Sequence, residues 1–465
     1  MMNLQQALAF IPSARLVGDG GTGFSRVHTD TRSIQSGDLF VALRGENFDA
    51  HQFLAEARDK GAVAAIAQQG LSEAGLPGLE VADSKLALGQ LAAGWRSQFS
   101  LPLIAVTGSN GKTTVTQMIA AILQAWRADA AFATAGNLNN DIGVPLTLLR
   151  LHASHEVGVV ELGMNHPGEI AYLGALARPT VALINNAQRE HLEFMGTVEA
   201  VALENGSVLQ CLDAGGSAVF PADDDYTALW RGLAGSRRVL TFALSGPADV
   251  TASARWSGEG WQVVAQTPSG PLEFPLHIAG IHNVKNALAA TACALAAKVP
   301  LSFIASGLST FAPVKGRSRA VQLQIKDGIL TLVDDSYNAN PDSMHAAIEV
   351  LADLPGPRLL VMGDMGEVGN QGPQFHGEAG THARVRGIEK LFTLGDQSKA
   401  AAAVFGEARH FPDMAELTTA VLAELPHVAS VLVKGSRFMK MEQVVHAVIA
   451  AADQTPQHKE EPHAS

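Results

Sequence analysis

Val106-Thr107-Gly108-Ser109-Asn110-Gly111-Lys112-Thr113-Thr114 is the stretch that decides the fold. It continues the apolar run Leu103-Ile104-Ala105 and precedes a segment in which Val115, Met118, Ile119, Ile122 and Trp126 recur every three or four residues. The run reads as a strand over 103–107, and the periodic segment as a helix over about 112–126 with one buried face. Between them the glycines let the backbone curl so that several N–H groups point inward. The helix N-terminus adds its partial positive charge and Lys112 a full one, which makes a cradle for phosphate oxygens. Gly108, Ser109, Asn110, Gly111, Lys112, Thr113 and Thr114 are therefore candidate phosphate contacts, and Thr113 is placed to offer its hydroxyl to Mg²⁺. The spacing is tighter than in the usual phosphate loop, whose first glycine would fall at Val106. The competing reading is an ordinary glycine-rich turn with an incidental lysine.

Strand-like runs at 156–162, 180–185 and 216–220 continue the alternation, so the middle of the chain reads as a mostly parallel sheet covered on both faces. Residues 250–256, 261–266 and 272–277 alternate instead like a small antiparallel insert. Before this region, strands at 39–43 and 62–66 and helices at 55–60 and 84–97 make a smaller α/β unit. After Gly316, strand-like runs at 320–325, 329–334, 358–362, 390–394 and 429–434 describe a Rossmann-like one. The expected fold is α/β in three consecutive domains, 1–99, 100–313 and 314–465, ending in a polar, frayed tail at 453–465.

Composition agrees. A chain of 465 residues allows three domains at about 150 residues each, and 47% hydrophobic against 17% charged residues gives ample core. Lys plus Arg number 33 and Asp plus Glu 45, a net charge of −12 that argues against a general nucleic-acid or anionic-membrane binder. Two distant cysteines, Cys211 and Cys293, exclude a disulfide scaffold or a Cys-rich zinc module and fit a reducing compartment. There is no basic segment leading into an apolar one at the N-terminus and no apolar run of ~18 residues. The expectation is a monomeric cytoplasmic protein that binds no nucleic acid and does not insert into membranes.

Further candidates cluster where strands end. Glu161 emerges from an apolar strand, at the edge where open α/β sheets bind ligands, and could hold Mg²⁺. The next strand end delivers His191 to the same edge, either as a hydrogen-bonded surface residue or as part of the site. Asn137, Asn139 and Asn140 read as turn residues or as a substrate-contacting loop. Asn283 and Asn286 project from the first turn of an Ala-rich helix, to cap it or to meet an adenine edge. Asp334-Asp335-Ser336-Tyr337-Asn338-Ala339-Asn340-Pro341 carries more acids and amides than one N-cap needs.

TGSNGKTT (107–114), ELGMNHPGEI (161–170), GIHNVKNALAA (280–290), DDSYNANPDSM (334–344), GDMGEVG (363–369) and VKGSR (433–437) together resemble the Mur ligases. The stretch from His28 to Phe53 is similar to that family's UDP-sugar-binding segment, and the likeness runs in order through nearly the whole chain. Within the family, 334–344 and 433–437 most resemble the branch that joins D-alanyl-D-alanine to UDP-N-acetylmuramoyl-tripeptide. The resemblance implies ATP-dependent amide synthesis through an acyl phosphate, with ATP and Mg²⁺ required. It implies catalytic roles for Lys112, Glu161 and His191, one Mg²⁺ on Thr113 and Glu161, and a second near His191. It further implies that Asn283 and Asn286 face adenine and that Arg317 and Asp335 reach the nucleotide. Asn137, Asn139 and Asn140 would line the sugar-peptide cleft, and Asp30, Thr31 and Arg32 would lie by the uridine diphosphate. Lys434, Ser436 and Arg437 would contact the dipeptide, with a solvated helix start as the competing reading for Lys434 and Arg437.

One departure stands out. Many Mur ligases carry a carbamylated lysine in the helix after the histidine loop, and Asn205 occupies that position here, so a second Mg²⁺ would be bound more weakly or rely on Glu204 or water. The alternatives are the branch adding the third peptide residue, which usually carries a DNPR motif absent from this chain, a folylpolyglutamate synthase, and a nucleotide switch with no ligase activity. The third peptide residue, diaminopimelate or lysine, is left open. His376 is a possible base for the incoming amine, although an exposed histidine is the simpler reading.

Overall fold

The computed structural model describes residues 1–257, 260–325 and 328–453. Three large sheets follow one another along the chain. The first has the order Arg15–Val17, Gly78–Glu80, Ala62–Ala67, Asp38–Val41, Arg26–His28, parallel except for its first strand. The last runs Arg319–Ile325, Gly328–Asp335, Ser430–Lys434, Arg358–Gly363, Lys390–Leu394, Arg409–Phe411, again parallel after an initial antiparallel pair. The final helix is Glu442–Asp453, and the rest of the expected frayed tail lies outside the described residues. Among the described residues no helix is long and apolar enough to cross a membrane.

The central sheet has nine strands in the order Gly270–Leu276, Trp261–Thr267, Val250–Trp256, Arg238–Ala243, Ser217–Pro221, Val181–Ile184, Leu103–Thr107, Val157–Glu161, Ala131–Ala133. The expected antiparallel insert is there, but it does not stand apart. Val250 pairs in parallel with Phe242, so three antiparallel strands lengthen the sheet. Their alternate residues Val263, Ala265, Leu272, Phe274 and Leu276 are buried in the same core as helix Ile281–Ala296. The strands Ala131–Ala133, Arg238–Ala243 and Arg409–Phe411 were not foreseen. Two are only three residues long, too short to show a period of two, and the third opens on the exposed Arg238.

The strand Leu103–Thr107 lies between Val181–Ile184 and Val157–Glu161, all parallel, and all five of its residues are buried. The chain leaves it toward one side of the sheet and later returns on the other. Loops 108–111, 162–168 and 185–191 thus meet at a topological switch point, where a crevice forms beyond the carboxyl ends of the strands. Helix Lys112–Arg127 packs Val115, Met118, Ile119, Ile122 and Leu123 against the sheet, whereas Trp126 is half-buried beneath the Arg127 guanidinium.

Helix Ser84–Arg96 ties the first unit to the second. It packs on helices Gly143–Leu148 and Glu169–Ala177 and shares one hydrophobic core with them. Gly89 allows the approach, since a Cβ there would lie 2.1 Å from the Tyr172 hydroxyl. At the end of the helix the buried Arg96 guanidinium donates to the carbonyls of Ala177 (2.9 Å), Arg178 (3.2 Å), Phe99 (2.5 Å) and Leu101 (3.4 Å). Arg96→Met keeps the bulk but leaves these carbonyls without their donor. At about 1–3 kcal/mol per stranded group, partly relieved by water, the expected loss is about 2–4 kcal/mol. Thermal denaturation checks this, and an unchanged midpoint would mean that the carbonyls find other donors.

Candidate active site

A cleft of about 1360 Å³ opens where the third unit faces the C-terminal edge of the central sheet. It is lined by Ser109, Asn110, Gly111, Lys112, Thr113, Thr114, Asn137, Asn139, Asn140, Glu161, His191, Asn283 and Asn286 from the central unit. Arg317, Asp335, Lys434, Ser436 and Arg437 line it from the third. Gly108 lies behind the loop with φ +128°, where a Cβ would come 2.9 Å from the Asn185 nitrogen. Asp30, Thr31 and Arg32 do not line the cleft. Asp30 caps the turn Thr31–Ser33 and pairs with Arg32 at 2.6 Å, while the Thr31 hydroxyl donates to Glu56.

The phosphate loop is held by amide side chains. The Gly108 N–H and the Thr107 hydroxyl donate to Asn205 Oδ1 (3.0 and 2.6 Å), the Asn110 N–H to Asn186 Oδ1 (2.8 Å), and the Ser109 N–H to the Asn186 carbonyl (3.1 Å). These three loop amides are therefore engaged, contrary to the expectation that they point at a ligand. The backbone donors left for phosphate are those of the first turn of helix Lys112–Arg127, which have no intrahelical acceptor. Asn185 Nδ2 donates to the Asn110 carbonyl (2.7 Å) and to Asn286 Oδ1 (2.9 Å), Asn286 donates to Asn283, and Asn283 donates to the Ala279 carbonyl. Asn283 and Asn286 are thus not caps, since the helix cap is Gly280, which makes no side-chain bond.

Lys112 Nζ donates to the carbonyls of Gly108 (2.7 Å) and Ser109 (3.0 Å) and pairs with Glu190 at 2.7 Å. Burial opposes the charge on Glu190, yet Lys112 and His191 hold its carboxyl below the usual range. His191 has φ +51° and places Nδ1 2.6 Å from Glu367 and Nε2 3.4 Å from Glu190. Burial disfavours the imidazolium, but the two carboxylates outweigh it and lift the pKa to about 9. A metal ligand needs a free imidazole lone pair, and in this arrangement both ring nitrogens of His191 face carboxylates.

The Thr113 hydroxyl donates to Glu161 Oε1 at 3.1 Å, and Asn139 Nδ2 donates to the same oxygen at 2.8 Å. This buried hydroxyl–carboxylate pair suits Mg²⁺, which prefers hard oxygen ligands and keeps waters and phosphate oxygens in its shell. Among the described residues no three or more acidic, histidine or cysteine side chains converge into a cage of their own. Glu204 is not available, because its two oxygens accept the N–H groups of Gly168 (2.8 Å) and Ile170 (2.7 Å) at the start of helix Glu169–Ala177.

From the third unit, Lys434 is buried at the end of its strand rather than at a solvated helix start. It is bonded to Asp335 at 2.5 Å and to the Asn338 carbonyl at 2.9 Å. Asp335 also accepts the Ser318 N–H. Ser436 accepts the Gly366 N–H and donates to the Ala339 carbonyl, whereas Arg437 is exposed. Asn340 caps helix Pro341–Ala352 and donates to the Asn110 side chain at 2.9 Å. His376 is fully buried, contrary to expectation. Nδ1 lies 2.6 Å from the Gly372 carbonyl and Nε2 accepts the Met365 N–H, so it braces the 363–369 loop and cannot serve as a base for a substrate in the cleft.

Sequence reasoning missed Arg189, Glu190 and Glu367. Arg189 pairs with Asp342 (2.7 Å) and Glu378 (2.9 Å) of the third unit. The run Arg189-Glu190-His191 beside a strand end was the available signal, but which partners it meets depends on the third unit.

Three family models match the chain in order: "Mur ligase family, catalytic domain" at residues 24–96, "Mur ligase middle domain" at 106–294 and "Mur ligase, glutamate ligase domain" at 316–437. The UDP-N-acetylmuramoyl-tripeptide–D-alanyl-D-alanine ligase of Escherichia coli (strain K12) is 42% identical over 91% of this chain and 93% of its own. The chain belongs to the Mur ligase family. The ligase of the same name from Haemophilus influenzae is 39% identical over 95% of this chain and 97% of its own. A crystal structure of MurF from Acinetobacter baumannii superposes with a TM-score of 0.89 at 36% identity, covering 97% of this chain and 99% of the other. The Thermotoga maritima MurF structure in complex with ADP gives 0.81 at 26% identity, covering 93% and 98%.

In this Mur ligase, Asn205 is fully buried and its carbonyl oxygen is committed to the phosphate loop. Asn205→Lys would strand the Thr107 hydroxyl and the Gly108 N–H and bury an ammonium. The expected result is a lowered melting temperature and no additional ion in a Mn²⁺ titration followed by electron paramagnetic resonance. A stable variant that binds an extra Mn²⁺ would show that the lysine fits.

Proposed function

We propose that this Mur ligase joins D-alanyl-D-alanine to UDP-N-acetylmuramoyl-tripeptide, with ATP converted to ADP and phosphate, in cytoplasmic synthesis of peptidoglycan precursors. The observation that carries the reading is a single cleft in which Lys112, a Thr113–Glu161 oxygen pair and the polar residues of the third unit face one another. We take the three sheets as three domains with boundaries near residues 99 and 313.

The tripeptide's terminal carboxylate attacks the γ-phosphorus of ATP, ADP departs, and an acyl phosphate forms. The dipeptide amine then adds to its carbonyl, the tetrahedral intermediate loses phosphate, and the amine gives up a proton. Two anions must meet in the first step, so Lys112 would leave Glu190 and the loop carbonyls for the phosphates, where the helix N-terminus adds its donors. Mg²⁺ held by Thr113 and Glu161 would neutralise phosphate charge during transfer. His191 stands on the same rim, and it would have to leave Glu367 to meet a second ion. Asn283 and Asn286 are assigned to the adenine side, with Arg317 and Asp335 reaching the nucleotide. Asn137, Asn139 and Asn140 are assigned to the sugar-peptide. Lys434, Ser436 and Arg437 form the dipeptide side, where Lys434 acts from within by fixing Asp335 and residue 338. Asp30, Thr31 and Arg32 would hold the uridine diphosphate from the first domain. The acyl phosphate hydrolyses readily, so the two domains facing across the cleft also serve to exclude water.

ADP release measured with each UDP-muramoyl peptide and each amine in turn tests the assignment. Release should require both the UDP-muramoyl tripeptide and D-alanyl-D-alanine. Lys112→Ala should lose at least about 100-fold in kcat with an unchanged circular dichroism spectrum. Release with nucleotide alone, or wild-type turnover in that variant, would refute the reading.

A further inference from the structure

Tyr337 sits in the loop between strand Gly328–Asp335 and helix Pro341–Ala352, and it lines the cleft without having been assigned any part in the reaction. Two guanidinium groups approach its ring. Arg317 lies 4.1 Å from the ring centroid and Arg437 5.3 Å. They come from separate elements, Arg317 from the segment entering the third domain and Arg437 from the turn after strand Ser430–Lys434. The base of the side chain is fixed by its backbone. The Tyr337 N–H donates to the Gly316 carbonyl, and a Cβ on Gly316 would lie 3.0 Å from that of Tyr337, so the backbone before Arg317 packs directly against it.

Like charges do not gather without a reason. Among the described residues no carboxylate pairs with Arg317, and Arg437 has only a 3.5 Å contact with Glu442. The buried acids of this strand end are committed elsewhere, Asp335 to Lys434 and Ser318 and Asp334 to the Gly316 N–H and Ser336. The negative face of an aromatic ring attracts guanidinium groups and gives them a flat surface to stack on. The planar forks are then held ready for oxyanions, to which guanidinium binds in pairs of hydrogen bonds.

We infer that Tyr337 is a positioning residue: its ring gathers Arg317 and Arg437 into one anion clamp on the third-domain side of the cleft. Arg317 faces the nucleotide phosphates and Arg437 the free carboxylate of the dipeptide. The naming of those two anions rests on the function proposed above, whereas the clamp itself rests on the ring and the two guanidinium groups. The ring carries the role and the hydroxyl does not.

Tyr337→Leu and Tyr337→Phe separate the two, with Tyr337→Met in place of the first if it does not fold. Tyr337→Leu should raise the KM for both ATP and D-alanyl-D-alanine about fivefold to twentyfold, with kcat within about threefold of wild type. Tyr337→Phe should keep both KM values within about twofold. A calorimetric titration with ADP alone should show the same order, weakened in Tyr337→Leu and retained in Tyr337→Phe. Equal damage in both variants, unchanged KM values in Tyr337→Leu, or a rise confined to one substrate would overturn the paired clamp. If the wild-type enzyme turned over no dipeptide, the functional reading would fail, and the ADP titration would still decide whether the ring orders Arg317.

Discussion

A curled loop that leads into a ligand-facing helix N-terminus must be held in shape from behind, and here asparagines do the holding. Asn205 from below, Asn186 beside it and Asn185 with Asn286 behind it satisfy residues 107–110 by neutral amide bonds. Neutral groups suit this place. A carboxylate there would repel the phosphates, and a cation would repel Lys112. Gly108 and Gly111 complete the arrangement, because both have positive φ and a side chain at either would strike Asn185. Position 205, where the family resemblance leads one to expect a lysine, thus serves the loop here.

The charges around the loop form a second layer. Lys112, Glu190, His191 and Glu367 alternate in sign across the boundary between the central and third domains. Arg189 with Asp342 and Glu378 runs alongside them. Each group is compensated where it stands, so phosphoryl transfer requires partners to be exchanged and not merely supplied. His191 and Glu367, both at positive φ, meet across this boundary. Backbone strain of that kind persists only where the surroundings over-determine it, and it gathers at sites that work.

The site was readable in the sequence wherever the chemistry is local. Thr113 and Glu161 sit at the ends of their own strand and helix, and their pairing follows from adjacent parallel strands. It was not readable where a side chain's role depends on a distant partner. Lys434 reads from the sequence as a dipeptide contact or a solvated cation, and it is buried against Asp335, 99 residues away in sequence. His376 looked exposed and is buried under the loop it braces, and Glu204 looked free for a metal but is committed to a helix start.

By itself the sequence determined the three α/β units, the strand–loop–helix at 103–126, the antiparallel strands at 250–277 and a set of candidate residues most of which line the cleft. Periodicity, glycine placement and strand-end chemistry act over a few residues and need no knowledge of the rest of the chain. Only the tertiary structure decided which of those residues are free, which are engaged with one another, and that Asp30, Thr31 and Arg32 stand outside the cleft. Ion pairs and hydrogen bonds form between whatever groups the packing of sheets and helices brings within about 3 Å. That proximity is a property of the folded arrangement and leaves no periodic trace along the chain.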